Sequence, residues 1–110
     1  MTDEVRTVEP AAAQRRITEI VLRVVGTLAP DPVDRPTPAQ ALVADLGYHS
    51  LRLVELAFTL EELFGLDAMA VDSSLPIGTV GDVLAYVLAE VGPDNVLPTT
   101  EEVDDYLRDA

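Results

Sequence analysis

The sequence contains no cysteine and no lysine, and its single histidine is His49. Without cysteine the chain forms no disulfide, holds no metal through thiolates and has no thiol nucleophile. One imidazole excludes a histidine-rich metal site, so no metal centre is expected. Aromatic residues make up only 5% of the chain, which leaves the core to Leu, Val, Ala and Ile. No apolar run approaches the roughly 18–20 residues that span a bilayer. The acidic start Met1-Thr2-Asp3-Glu4 lacks the basic opening of a signal peptide. These absences point to a soluble, cytoplasmic protein that does not enter the membrane.

What is abundant is negative charge. Twenty acidic residues face seven basic ones, all arginine, for a formal charge of -13. A field of that sign repels phosphate backbones and anionic headgroups, so neither nucleic acid nor a membrane is an expected partner. Basic protein surfaces are, through steering that salt weakens. The 110 residues suit one domain with a small core, and 48% apolar content argues against general disorder.

Helical periodicity organises the chain. Residues 1–10 read as a flexible N-terminal segment. Ile17, Ile20, Val21, Val24, Val25 and Leu28 then form one apolar stripe, predicting a helix from about Ala11 to Leu28. Pro30, Pro32, Pro36 and Pro38 make the next stretch irregular. Ala41, Leu42, Val43 and Leu46 predict that its later part packs on the bundle. A second helix is expected from Ser50 to Phe64, with Leu53, Val54, Ala57, Leu60, Leu63 and Phe64 on its stripe. Leu51, Leu56 and Phe58 widen that stripe, and Gly65 stops the helix. A short helical turn is expected around Asp72 to Leu75. Thr79 and Asp82 mark a capping-box-like start to a third main helix, ended by Gly92-Pro93. The acidic tail, 93–110, offers a short helix at 100–108. The fold class is therefore all-α: a small antiparallel bundle of three main helices plus a short turn in third position, with one domain over 11–92.

The informative stretch is Asp45-Leu46-Gly47-Tyr48-His49-Ser50-Leu51, where a long loop meets the most apolar helix. It continues through Val54-Glu55-Leu56, Leu60-Glu61-Glu62-Leu63-Phe64-Gly65 and Thr79-Val80-Gly81-Asp82-Val83. Over residues 12–92 this pattern resembles the acyl carrier protein-like, phosphopantetheine-binding carriers of fatty-acid, polyketide and nonribosomal-peptide synthesis. Their attachment site has Leu-Gly, two variable residues, then Ser-Leu at the head of the second helix. The resemblance implies an acyl carrier protein-like four-helix bundle with covalent 4'-phosphopantetheine on Ser50. It implies no catalytic residue of the chain's own. A phosphopantetheinyl transferase would load the arm from coenzyme A. An acyl- or aminoacyl-loading ligase or transferase would then charge it, and a ketosynthase or other tailoring enzyme would use the cargo. By the same resemblance Asp45, Leu51, Glu55, Glu61 and Glu62 are candidates for partner docking.

Elementary physics agrees. A helix N-terminus presents unpaired N–H groups and a partial positive charge that favour a phosphodiester. Gly47 lets the backbone turn sharply into the helix. Ser50 is equally suited to capping that helix. His49 stands where acyl carriers usually place aspartate and peptidyl carriers often place histidine. Arg52 breaks the negative face, either selecting a partner or pairing with Glu55. Sequence neighbours do not by themselves give a His49–Ser50 pair the geometry of a hydrolytic dyad. Tyr48 and Tyr86 read as packing residues. The expectation is a discrete, monomeric acyl carrier of polyketide or other specialised metabolism. A peptidyl or aminoacyl carrier and an unmodified helical adaptor are the alternatives.

Overall fold

The computed structural model describes residues 2–66, 78–91 and 97–108, with side chains from residue 12 onward. Four helices account for most of them: α1 (Thr2–Leu28), α2 (Ser50–Phe64), α3 (Val80–Glu90) and α4 (Thr100–Arg108). The fold is all-α, and α1 is its spine, packing against α2, α3 and α4. The turn expected near Asp72–Leu75 and the Gly92-Pro93 stop lie outside the described residues.

The stripe read from the sequence of α1 is the stripe that is buried: Ile17, Ile20, Val21, Val24, Val25 and Leu28 all enter the core. Leu60 and Phe64 meet them from α2, Val80, Val83 and Val87 from α3, and Val103 and Leu107 from α4. Each buried aliphatic side chain contributes roughly 1.5–3 kcal/mol, which offsets the ordering entropy of helices too short to persist alone. The start of α1 corrects the expected boundary: the helix begins at Thr2, not near Ala11, and runs through Pro10. Pro10 is the ninth residue of that helix, beyond the first turn in which a proline costs nothing, so it removes one backbone donor from the helix.

The ends are fixed locally. Thr79 caps α3 in a reciprocal box: its hydroxyl accepts from Asp82 N at 3.1 Å, and Asp82 Oδ2 accepts from Thr79 N at 3.0 Å. Gly78 N and then Thr79 N, both donating to Oδ2, hold the Asp82 carboxyl below its usual pKa. Thr99 and Glu102 repeat the box at α4. Gly65 ends α2 in the left-handed region, at φ 65°.

One glycine explains how the proline-rich loop meets α1. At Gly26 the loop crosses so closely that a Cβ would lie 2.4 Å from the Val33 carbonyl oxygen. Val33 N also donates to Gly26 O at 3.2 Å. In an ordinary helix Gly→Ala gains about 1 kcal/mol; here the added methyl strikes backbone. Gly26→Ala is therefore expected to destabilise by about 1–3 kcal/mol, lowering the melting temperature by several degrees in a thermal scan. A rise in melting temperature would show that the loop does not cross there.

Candidate functional site

The segment leading into α2 is braced from two sides. On one, residues 38–42 pair with the start of α3: Leu42 N donates to Gly78 O at 2.9 Å, Val80 N to Gln40 O at 3.0 Å and Gly81 N to Pro38 O at 2.9 Å. Ala41 and Thr79 form an isolated antiparallel bridge. Leu42 and Leu46, buried as expected, pin the loop to the core; Val43, expected to pack with them, is 61% exposed. The turn that buries Leu42 and Leu46 leaves Val43 facing out between them. Asp45 steadies this turn, accepting at Oδ2 from Ala41 N at 2.7 Å.

On the other side, Tyr48 is only 1% exposed and donates its hydroxyl to the Val25 carbonyl in α1 at 2.7 Å. Burial pushes the phenol well above its ordinary pKa, against a weaker opposing pull from Arg52, so it remains a neutral donor. Between these anchors Gly47 adopts φ 78°, a conformation that side chains resist. Its N–H donates to Val43 O, and Tyr48 N donates to Leu42 O.

His49 is the N-cap of α2, extended at φ -130° and ψ 177°, and its carbonyl accepts from Leu53 N. Its side chain makes no capping hydrogen bond. Ser50 is the first helical residue rather than the cap, and it is exposed. The first turn of α2 holds no acidic residue. The hydroxyl therefore stands beside N–H groups that no side-chain cap occupies, at the positive end of a helix.

The outer face of α2 departs from its sequence reading. Leu56, Ala57, Leu60 and Phe64 are buried, joined by Thr59, whose hydroxyl donates back to Glu55 O at 2.9 Å. Leu51 and Phe58, expected to widen the buried stripe, and Val54, expected on the stripe itself, face outward instead, Leu51 at 65% and Phe58 at 59% exposure. At about 100° per residue, positions 51, 54 and 58 fall within one narrow sector roughly opposite the core-facing residues. One helix thus carries two apolar stripes, and a single bundle can cover only one of them. The signal was present in the spacing: 53, 57, 60 and 64 already complete a core stripe without 51, 54 and 58.

The charged candidates separate. Arg52 Nη1 lies 3.0 Å from Glu55 Oε1, the i, i+3 pair anticipated from sequence. Glu62 Oε1 accepts the Tyr106 hydroxyl of α4 at 2.5 Å. Glu61 is half-buried. Ser50, His49, Leu51, Arg52 and Glu55 share the first turns of α2, whereas Glu61 and Glu62 lie near its far end. The competing serines Ser73 and Ser74 fall outside the described residues. Among the described residues no group of acidic or histidine side chains is arranged to hold a metal, and no helix is long and apolar enough to cross a membrane.

A helical bundle that places one exposed serine at the head of such a helix matches a known architecture of protein-borne cofactors. The family model described as "Phosphopantetheine attachment site" matches residues 15–87. The meromycolate extension acyl carrier protein of Mycolicibacterium aurum is 37% identical over 90 residues, covering 76% of this chain and 88% of that protein. No solved structure matches with comparable significance. The chain belongs to the acyl carrier protein-like family of phosphopantetheine-binding carriers, whose covalent cofactor is 4'-phosphopantetheine. The family-model match ends at residue 87, before α4.

Tyr48→Phe removes the hydroxyl that ties the site to α1. At neutral pH it is expected to destabilise by about 0.5–1.5 kcal/mol, or about 4–8 °C per kcal/mol in melting temperature. The folded phenol titrates above the unfolded one, so its contribution is complete below about pH 10 and declines as pH rises further. Melts at pH 7 and pH 11 should show the gap between wild type and variant narrowing at the higher pH. A constant gap would contradict the buried-donor assignment.

Proposed function

We propose that the chain is an acyl carrier whose Ser50 oxygen bears the phosphopantetheine arm. The observation that carries this reading is the placement of Ser50: exposed, first in α2, following a left-handed glycine and a buried tyrosine. The first turn suits the group. With no acidic residue in it and no side-chain cap from His49, its backbone N–H groups remain for an anionic phosphodiester. When bound, the arm supplies a terminal thiol that holds cargo as a thioester. The chain's own residues orient and expose. Tyr48 fixes the register at which α2 begins, Gly47 takes the left-handed turn into the helix against Pro30 and Asp31, and the helix end favours the negative charge by about 0.3–1 kcal/mol.

On this reading the chain is a substrate of a phosphopantetheinyl transferase and performs no chemistry itself. Loading ligases or transferases and chain-extending or tailoring enzymes reach the arm across α2. Leu51, Val54 and Phe58 provide the apolar contact there, with His49 and Arg52 beside the serine and Asp45, Glu55, Glu61 and Glu62 around them. An acyl cargo is supported by the relative named for meromycolate extension. The segment Tyr48-His49 with Arg52 supports service in polyketide or other specialised metabolism. His49 at the cap favours a second reading, an aminoacyl or peptidyl carrier.

Intact-mass measurement after incubation with coenzyme A and a broad-specificity transferase tests the assignment. Wild type is expected to gain one arm, while Ser50→Ala keeps its melting temperature within a degree or two and gains nothing. Loading of the alanine variant would place the arm elsewhere; failure of wild type with several transferases would favour an unmodified adaptor. Acyl and aminoacyl donors offered to the loaded protein then separate the two carrier readings.

A further inference from the structure

Asp31 is nineteen residues before Ser50 in the chain, yet the fold carries it to the turn that leads into α2. Its Oδ2 lies 3.3 Å from the point that a Cβ on Gly47 would occupy, and Pro30 Cβ lies 3.8 Å from the same point. Gly47 is three residues before Ser50, so the serine is within about 11 Å of that turn by chain reach alone. Asp31, Gly47 and Ser50 are all exposed. The carboxylate is also firmly presented. Pro30 and Pro32 flank it: one ring fixes the φ before it, and the other holds Asp31 itself to extended backbone. Other carboxylates near the site have partners, since Asp45 Oδ2 takes the Ala41 N–H and Glu55 lies against Arg52. Among the described residues no group donates to Asp31, and α1 has no basic residue in its last turn to offset it. The fold therefore holds a negative charge at this place without using it.

We propose that Asp31 is a docking residue for arm loading: it takes a cationic side chain of the phosphopantetheinyl transferase on the loop side of Ser50, while Leu51, Val54 and Phe58 meet that enzyme on the α2 side. This rests on the reading that Ser50 bears the arm. Charge complementarity selects the occupant. The enzyme has to bring coenzyme A to the Ser50 oxygen, and the phosphates of coenzyme A call for cations around them. An interface of ordinary size covers roughly 800 Å² of each partner, a disc of about 16 Å radius, so one centred on Ser50 takes in the Gly47 turn and Asp31 with it. A carboxylate already fixed between two prolines loses little freedom when it is engaged.

The test uses the full chain, coenzyme A and a broad-specificity phosphopantetheinyl transferase, with KM and kcat for arm loading measured at low and high salt. Asp31→Asn removes the charge and keeps the shape. It is expected to raise KM for the carrier about two- to fivefold at low salt, the scale of one exposed ion pair, with kcat unchanged. The difference should fade at high salt. Asp31→Glu, which keeps the charge, should stay near the wild-type KM. Glu101→Gln makes the same charge change on α4, where Thr100 meets Arg16, about 13 Å further along α1 than the Val25 carbonyl that anchors Tyr48. It should leave KM nearly unchanged. An equal rise for Glu101→Gln assigns the effect to the general field and overturns the docking residue, as does an unchanged KM for Asp31→Asn. A clear fall in the melting temperature of Asp31→Asn means that the carboxylate serves the positive start of α2 instead, and overturns it as well. Absence of loading in wild type and every variant overturns the arm assignment, whereas normal loading with an unchanged KM overturns the docking residue alone.

Discussion

The arrangement around Ser50 depends on one buried hydrogen bond, from the Tyr48 phenol to the Val25 carbonyl. Val25 O already accepts from Ala29 N in the last turn of α1, so the phenol fills a second acceptor position on a carbonyl inside the core. A donor placed so deep tolerates little displacement, because a buried phenol without a partner is costly. Tyr48 therefore determines where along α1 the second helix begins. The cap, the serine and the first turn follow within two residues, and Gly47 supplies the only backbone geometry that turns the chain from loop to helix in that space.

From that fixed start, α2 faces two ways. Its inner stripe contributes to stability and its outer stripe does not, because Leu51, Val54 and Phe58 remain in water in the isolated molecule. Three apolar side chains on one exposed sector of a strongly acidic protein make a surface that gains only when something else covers it. Of the flanking carboxylates, Glu55 pairs with Arg52, while Glu62 accepts the uncharged hydroxyl of Tyr106 and keeps its charge. The large formal charge of the chain thus acts as a general field around an apolar sector that begins one residue after the serine.

Much of this was legible in the sequence. The α1 stripe, the Thr79–Asp82 box, the Gly65 stop, the tail helix and the sharp turn at Gly47 each follow from short-range spacing or from a residue type with one physical use. What escaped depends on distant partners. Phe58 and Val54 fit a broad helical stripe as well as a second one, and only the packing of α1 decides which side is covered. Residues 1–10 read as a flexible segment because they are polar and mixed, with no apolar stripe of their own, yet α1 starts at Thr2. Gly26 is by type a weak helix former; its reason is the Val33 carbonyl, which no local pattern announces. Glu62 looked like an unencumbered docking carboxylate because its donor lies 44 residues away.

The pairing of residues 38–42 with 78–81 bears on the birth of the protein. The serine is synthesised about thirty residues before the strand-like partner that braces its approach loop. Closing that loop carries an entropic toll that local helix formation cannot meet by itself. On the ribosome, α1 and α2 can form while the Gly78–Gly81 clamp is still absent, so the hydroxyl is chemically present long before its surroundings are rigid. An enzyme that recognises the finished platform has to wait until residues 78–81 have emerged, whereas one that reads only the local turn has earlier access.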